Sequence, residues 1–93
     1  MIHEQVQDDN RIIAAGPLTR QPHSRPSRLV IERRSSKNDL VVYNQTFRQD
    51  LPADADLTNE PSDLSSGNYF QSDDLKGATE KFAHRLQFQA DCF

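Results

Sequence analysis

Apolar residues in this chain fall into a few short groups that are separated by long polar stretches. Residues 28–34 (RLVIERR) and 40–47 (LVVYNQTF) are rich in β-branched and aromatic residues, and this composition favours strands. The polar residues 35–39 between them have a suitable length for a hairpin loop. Residues 11–15 (RIIAA) could form a further short strand, which Gly16-Pro17 would end.

Alternation within the two longer strands predicts which side chains share a face. In the first strand, Leu29 and Ile31 oppose Arg28, Val30 and Glu32. In the second strand, one face carries Val41, Tyr43 and Phe47, and the other carries Leu40, Val42, Asn44 and Thr46. The apolar and polar residues alternate imperfectly, which indicates that part of each face is covered.

The C-terminal part of the chain changes to the period of a helix. Its small and apolar residues recur at positions i, i+3, i+4, i+7, i+8 and i+11, and they are Leu75, Ala78, Thr79, Phe82, Ala83 and Leu86. Such a stripe predicts an amphipathic helix that lies on a sheet. Ser72 is the predicted N-cap, and Asp73 and Asp74 would lie in the first turn, near the positive end of the helix dipole.

Residues 48–68 carry two prolines, one glycine and only three leucines. We therefore predict a long, mobile acidic loop there, with one helical turn near residues 61–64. Together these patterns predict an α+β fold, in which a small antiparallel sheet of two to three strands packs against one C-terminal helix. This domain would span residues 28–93, and residues 1–27 would form a flexible or partly ordered N-terminal segment.

Composition limits the size of the core. The chain has 93 residues, of which 34% are hydrophobic, below the roughly 45–50% that is usual in globular proteins. A single small core supplies little stability, so we expect additional burial, either in a homo-dimer or against a larger partner. Cys92 is the one cysteine, so an intrachain disulfide is excluded.

Opposite charges are separated along the chain. Residues 11–37 contain seven Lys and Arg and one acid, whereas residues 49–74 contain seven acids and no Lys or Arg. The formal net charge of −3 conceals this separation. Segregated charge affects the choice of partner and does not indicate chemistry.

The acidic residues suggest electrostatic docking onto the basic surface of another protein, and the candidate binding residues are Asp50, Asp54, Asp56, Glu60 and Asp63. A row of carboxylates on a loop could imitate the phosphates of a nucleic acid. The alternative is that the acids only keep the loop solvated. Residues 54–65 begin like a calcium-binding loop but mismatch its pattern at three ligand or turn positions, so no metal site is predicted.

The basic residues suggest an alternative function, a DNA- or RNA-binding accessory protein, and the candidate contacts are Arg20, Arg25, Arg28, Arg33 and Arg34. These arginines could follow phosphates. No aromatic residue lies between Arg11 and Asp39, so base stacking by that segment is excluded. The arginines could instead pair with the acids of the chain itself.

The sequence contains no recognisable catalytic motif. The three histidines are far apart, and Cys92 near the end of the chain is the one thiol, so we predict no catalytic residues and no cofactor. The first ten residues include three acids and no apolar run, and no stretch is long enough to span a membrane. We therefore expect a cytoplasmic, non-enzymatic protein that binds another protein as a regulator, adaptor or inhibitor.

Overall fold

The computed structural model describes residues 11–92, except for the side chain of Cys92. The elements are, in chain order, strands β1 (Arg11–Ala15), β2 (Ser27–Arg34), β3 (Asp39–Thr46) and β4 (Asp63–Gln71) and helix α1 (Leu75–Cys92). The strands form one antiparallel sheet in the order β1-β2-β3-β4. The predicted α+β class is confirmed, but the sheet has four strands, so the predicted two to three was wrong.

The segment predicted to be flexible or partly ordered, residues 1–27, is described only in part. Residues 1–10 lie outside the described residues. Residues 11–15 form β1, which pairs with β2 and so belongs to the same sheet as the predicted domain. Thr19 and Ser27 form a further isolated antiparallel bridge.

Strands β2 and β3 form the predicted hairpin. The pairing runs without interruption from Ser27 opposite Thr46 to Arg34 opposite Asp39. A short 3-10 turn, Ser35–Lys37, makes the connection, and Asn38 closes it with a φ of 52°. Asparagine tolerates this left-handed conformation better than most residues, and it therefore replaces the glycine that the sequence lacks.

The helix covers one face of the sheet, which we call the helix face. Its core contains the residues predicted to point that way, together with one helix residue: Leu29, Ile31, Leu40, Val42 and Ala78. Phe70, Phe82 and Leu86 pack against this core. The predicted faces of both strands are thus confirmed. The predicted stripe of the helix is only half right, since Ala78, Phe82 and Leu86 pack on the sheet but the other three members, Leu75, Thr79 and Ala83, are exposed.

The opposite side of the sheet, which we call the second face, carries a smaller apolar cluster of Ile12, Val30, Val41 and Tyr43. Within it, the Tyr43 hydroxyl donates a hydrogen bond of 2.7 Å to Oε1 of Glu32, whose exposed fraction is 6%. The chain therefore buries a polar pair among apolar side chains, and the pair is joined by hydrogen bonding as buried polar groups normally are.

Strand β4 takes up residues 63–68, the last six residues of the predicted loop, so the loop prediction was wrong there. The predicted helical turn near residues 61–64 was also wrong, since this segment is extended. The residues of β4 are mostly polar, and its backbone pairs with β3 in the antiparallel sense. Between the pairs Val42–Asn68 and Asn44–Ser65, β4 has one residue more than β3, which makes a bulge. Ser66 in this bulge has a φ of 57°.

The helix begins later than predicted. Asp74 is the N-cap, because its Oδ1 accepts a hydrogen bond of 3.0 Å from the backbone N–H of Gly77. Ser72, the predicted cap, lies two residues earlier, and its carbonyl oxygen accepts a hydrogen bond from Arg33.

Candidate functional site

The loop between β3 and β4, residues 47–62, contains two ion pairs of Arg48, and we call it the acidic loop. Arg48 lies at its start and binds two acids of the predicted set. Its Nε is 2.6 Å from Oε1 of Glu60, and its Nη1 is 3.2 Å from Oδ1 of Asp50. The hydrogen bond to Glu60 raises the pKa of Arg48. Both ends of the loop are therefore tied to one guanidinium.

The remaining acids of the set have different environments. Asp63, the first residue of β4, forms an ion pair of 2.8 Å with Arg25. Asp56 organises a turn, since its carboxylate accepts hydrogen bonds from Thr58 and Asn59. Asp54 is exposed and has no ion pair among residues 11–92. The loop contains five carboxylates if Asp63 is counted.

The basic segment 19–26 lies against this acidic loop. Arg20 donates a hydrogen bond of 3.0 Å to the carbonyl oxygen of Pro52, and Arg25 donates one of 2.8 Å to that of Phe47. Gln49 in turn donates to the carbonyl oxygen of Ser24. The two oppositely charged stretches of the sequence thus meet in space. Five carboxylates and the three guanidiniums that contact the loop, those of Arg20, Arg25 and Arg48, leave a surplus of two negative charges.

The other predicted arginines do not form one basic surface. Arg28 and Arg34 both lie on the second face of the sheet, whereas Arg33 points to the helix face and binds the carbonyl oxygen of Ser72. The Arg28 Nε donates a hydrogen bond of 2.7 Å to Gln45, and burial lowers the pKa of Arg28. The five arginines are therefore divided among three regions of the fold.

Aromatic rings accompany the two arginines of the second face. The guanidinium of Arg28 lies 5.9 Å from the ring centroid of Phe47, and that of Arg34 lies 5.9 Å from the ring centroid of Tyr69. Phe47 is buried, but 57% of Tyr69 is exposed. The sequence excluded stacking within the basic segment itself; pairing of distant strands nevertheless brings an exposed ring beside Arg34.

A groove between α1 and the edge formed by β3 and β4 was missed by sequence reasoning. Its volume is about 490 Å³, and its helix wall includes Lys81, His84, Arg85 and Phe88. Asn44 and Asn68 are on the wall formed by the sheet. No acidic residue lines it. The basic side chains of the helix suggested only a solvated surface, so nothing in the local sequence predicted this arrangement.

Arg85 joins the helix to the bulge of β4. Its Nη1 is within hydrogen-bonding distance of three neutral acceptors, the carbonyl oxygens of Val42 (3.0 Å) and Ser66 and the Oδ1 of Asn68 (3.1 Å). Burial lowers the pKa of Arg85. No carboxylate of the described residues forms an ion pair with it.

In the part of the chain that the structure describes, no three His, Cys, Asp or Glu side chains gather as a metal site would require. Over the same residues, no helix combines the length and the apolar character that crossing a membrane requires. Comparison of the chain with protein-family models, curated proteins and solved structures found no match.

Proposed function

We propose that the protein is a non-enzymatic regulator, adaptor or inhibitor that docks on a basic protein surface through its acidic loop. The observation that supports this proposal is the surplus of two negative charges on a loop that contains ion pairs. A loop that is already ordered loses less conformational entropy on binding than a mobile one. Complementary charge would also accelerate encounter with a basic partner.

The exposed acids of the loop are the proposed contacts. The side chain of Asp50 is 80% exposed although it pairs with Arg48, and that of Asp63 is 69% exposed although it pairs with Arg25. Asp54 is exposed without such a pair among the described residues. These three carboxylates can face a partner, whereas Glu60, with a 15% exposed side chain, chiefly holds the loop.

A double charge reversal, Asp50→Lys with Asp54→Lys, tests the proposal. It changes the loop by four charges and retains the two shortest ion pairs, Arg48–Glu60 and Arg25–Asp63. Each protein would be immobilised and used to capture partners from its source cells at low and at high salt. We expect the variant to lose a salt-sensitive partner that the wild type binds.

A matched control reverses two exposed acids of the helix, Glu80→Lys with Asp91→Lys, and gives the same change in net charge. This control should retain the partner. Thermal unfolding would establish that both variants are folded. Equal capture by wild type and by the loop variant, with the fold intact, would contradict docking through the acidic loop.

A second candidate function is binding of nucleic acid on the second face of the sheet, supported by the exposed ring of Tyr69 beside Arg34. Single-stranded nucleic acids bind to exposed aromatic rings with adjacent cations. Here Tyr69→Ala and Arg34→Gln should each weaken binding of a fluorescent oligonucleotide, and affinity should fall with salt by a slope of about −0.7 per phosphate contact for a single strand. Absence of any anisotropy change at low salt would eliminate this candidate.

A further inference from the structure

The groove between α1 and strands β3 and β4 contains several hydrogen-bond donors that have no acceptor among the described residues. All three acceptors of the Arg85 side chain among the described residues lie around Nη1 and share its two hydrogens. Its Nε and Nη2 therefore have no acceptor among residues 11–92. Those two nitrogens form one edge of the planar group, and this edge is the one that can bind an oxyanion through two parallel hydrogen bonds.

The side-chain amides of two asparagines near Arg85 add further hydrogen-bond donors. Oδ1 of Asn68 accepts from Arg85, and Oδ1 of Asn44 accepts a hydrogen bond of 3.0 Å from Gln89. The amide NH₂ group of each asparagine is thus left without an acceptor in the part of the chain described here. Both asparagines line the groove, so their amide groups are candidate donors to its occupant.

The charged side chains that line the groove are basic. Lys81 and His84 line it together with Arg85, and no carboxylate does. A partly buried cation whose protein acceptors are all neutral lacks the compensating charge that such groups normally have. An anion in the groove would supply both that charge and the missing acceptors.

From this geometry we propose that the groove is a binding site for a small phosphate monoester, with Arg85 as its anchor. Lys81 and Arg85 line the same groove, and two cations favour the double charge of a monoester over the single charge of a carboxylate. The groove, at about 490 Å³, is within the usual size range of small-molecule sites. Phe88, which is 64% exposed, gives the groove an apolar wall against which a ring of the ligand can pack.

Phenyl phosphate is a suitable probe, because it combines a monoester with a ring. Its binding to the full chain would be followed by calorimetry and by the shifts of side-chain N–H resonances in NMR spectra. We expect saturable binding with a Kd below about 1 mM and a shift of the Arg85 Nε–H resonance. Inorganic phosphate should bind more weakly, since it lacks the ring, and benzoate should bind more weakly because it has one charge.

Variants distinguish a ligand site from a purely structural role of Arg85. Arg85→Lys keeps the charge but loses the bidentate edge, and it should weaken binding of phenyl phosphate roughly 10- to 100-fold. Because that variant could also disturb the bulge, Lys81→Gln is the second test: Lys81 makes no hydrogen bond or ion pair among the described residues, and its loss should weaken binding about 2- to 5-fold with unchanged thermal stability.

Three outcomes would overturn the proposal. The first is the absence of saturable binding to the wild-type chain. The second is binding that neither variant weakens, which would place the probe elsewhere. The third is a short single-stranded oligonucleotide that displaces phenyl phosphate and binds more tightly, which would make the occupant a phosphodiester of a nucleic acid and not a small monoester.

Discussion

The buried pair of Tyr43 and Glu32 on the second face offers a quantitative test of the fold. Tyr43→Phe removes one hydroxyl and keeps the ring in its apolar cluster. The lost hydrogen bond is 2.7 Å long, and the two residues are each 6% exposed. A hydrogen bond to a charged group contributes about 1.5–3 kcal/mol, and in this site water cannot easily replace the hydroxyl. We expect the free energy of unfolding to fall by about 2 kcal/mol.

Chemical denaturation would measure this loss, and thermal unfolding should show a midpoint lower by about 10 °C in a domain of this size. Tyr69→Phe is the matched control. Tyr69 belongs to the same face but is 57% exposed, and its hydroxyl makes no hydrogen bond with described residues. Removing that hydroxyl should change the free energy of unfolding by less than about 0.5 kcal/mol.

A double-mutant cycle with Glu32→Gln tests whether charge strengthens the bond. With a neutral acceptor, Tyr43→Phe should cost only about 0.5–1.5 kcal/mol. If Tyr43→Phe is no more damaging than Tyr69→Phe, the hydroxyl contributes nothing and the reasoning is wrong. If its cost is the same in the Glu32→Gln background, the bond exists but the charge does not strengthen it.

Two further predictions concern the same hydroxyl and the start of the helix. Burial, and after it the hydrogen bond to Glu32, raises the pKa of Tyr43 above its ordinary value of 10.0, so the unfolded chain loses this proton at a lower pH than the folded chain does. Relative to Tyr43→Phe, the wild type should therefore lose stability as the pH rises above 10. Denaturation at several pH values would measure this loss. Gly77→Ala should not give the gain of about 1 kcal/mol expected inside a helix, because its Cβ would lie 2.5 Å from the carboxylate of the N-cap Asp74. The gain should appear when Asp74 is already Ala, and equal effects of Gly77→Ala in the two backgrounds would refute this explanation.

Side-chain periodicity was sufficient to predict β2, β3 and the helix, because the information lies in each segment itself. Leu29 and Ile31 share the helix face whatever their partner strand is. Strand β4 could not be found in that way. Its residues 63–66 are one acid, one leucine and two serines, and the outer edge of β3 determines their extended conformation. Strand propensity is subordinate to such pairing at an edge.

The helix start shows a different limit. Ser72 and Asp74 are both good N-cap residues, and the sequence alone gives no reason to prefer one. The choice depends on what else is nearby, since the carbonyl oxygen of Ser72 binds Arg33, which is 39 residues away. Contacts between residues far apart in the sequence thus determine where the helix begins, which the local sequence pattern does not.

The candidate sites depend on the same distinction between local and distant information. A count of charges along the sequence predicted a basic and an acidic region, but Arg25 and Asp63, 38 residues apart, bind each other and remove one charge from each. Arg85 shows the opposite effect. Arg85 lies in a segment that also contains Lys81 and Glu80, and a count of charges there predicts no region of one sign. The acceptors of Arg85 come from β3 and β4 and are all neutral, so no ion pair compensates its charge among the described residues. The sequence predicted no site at this position.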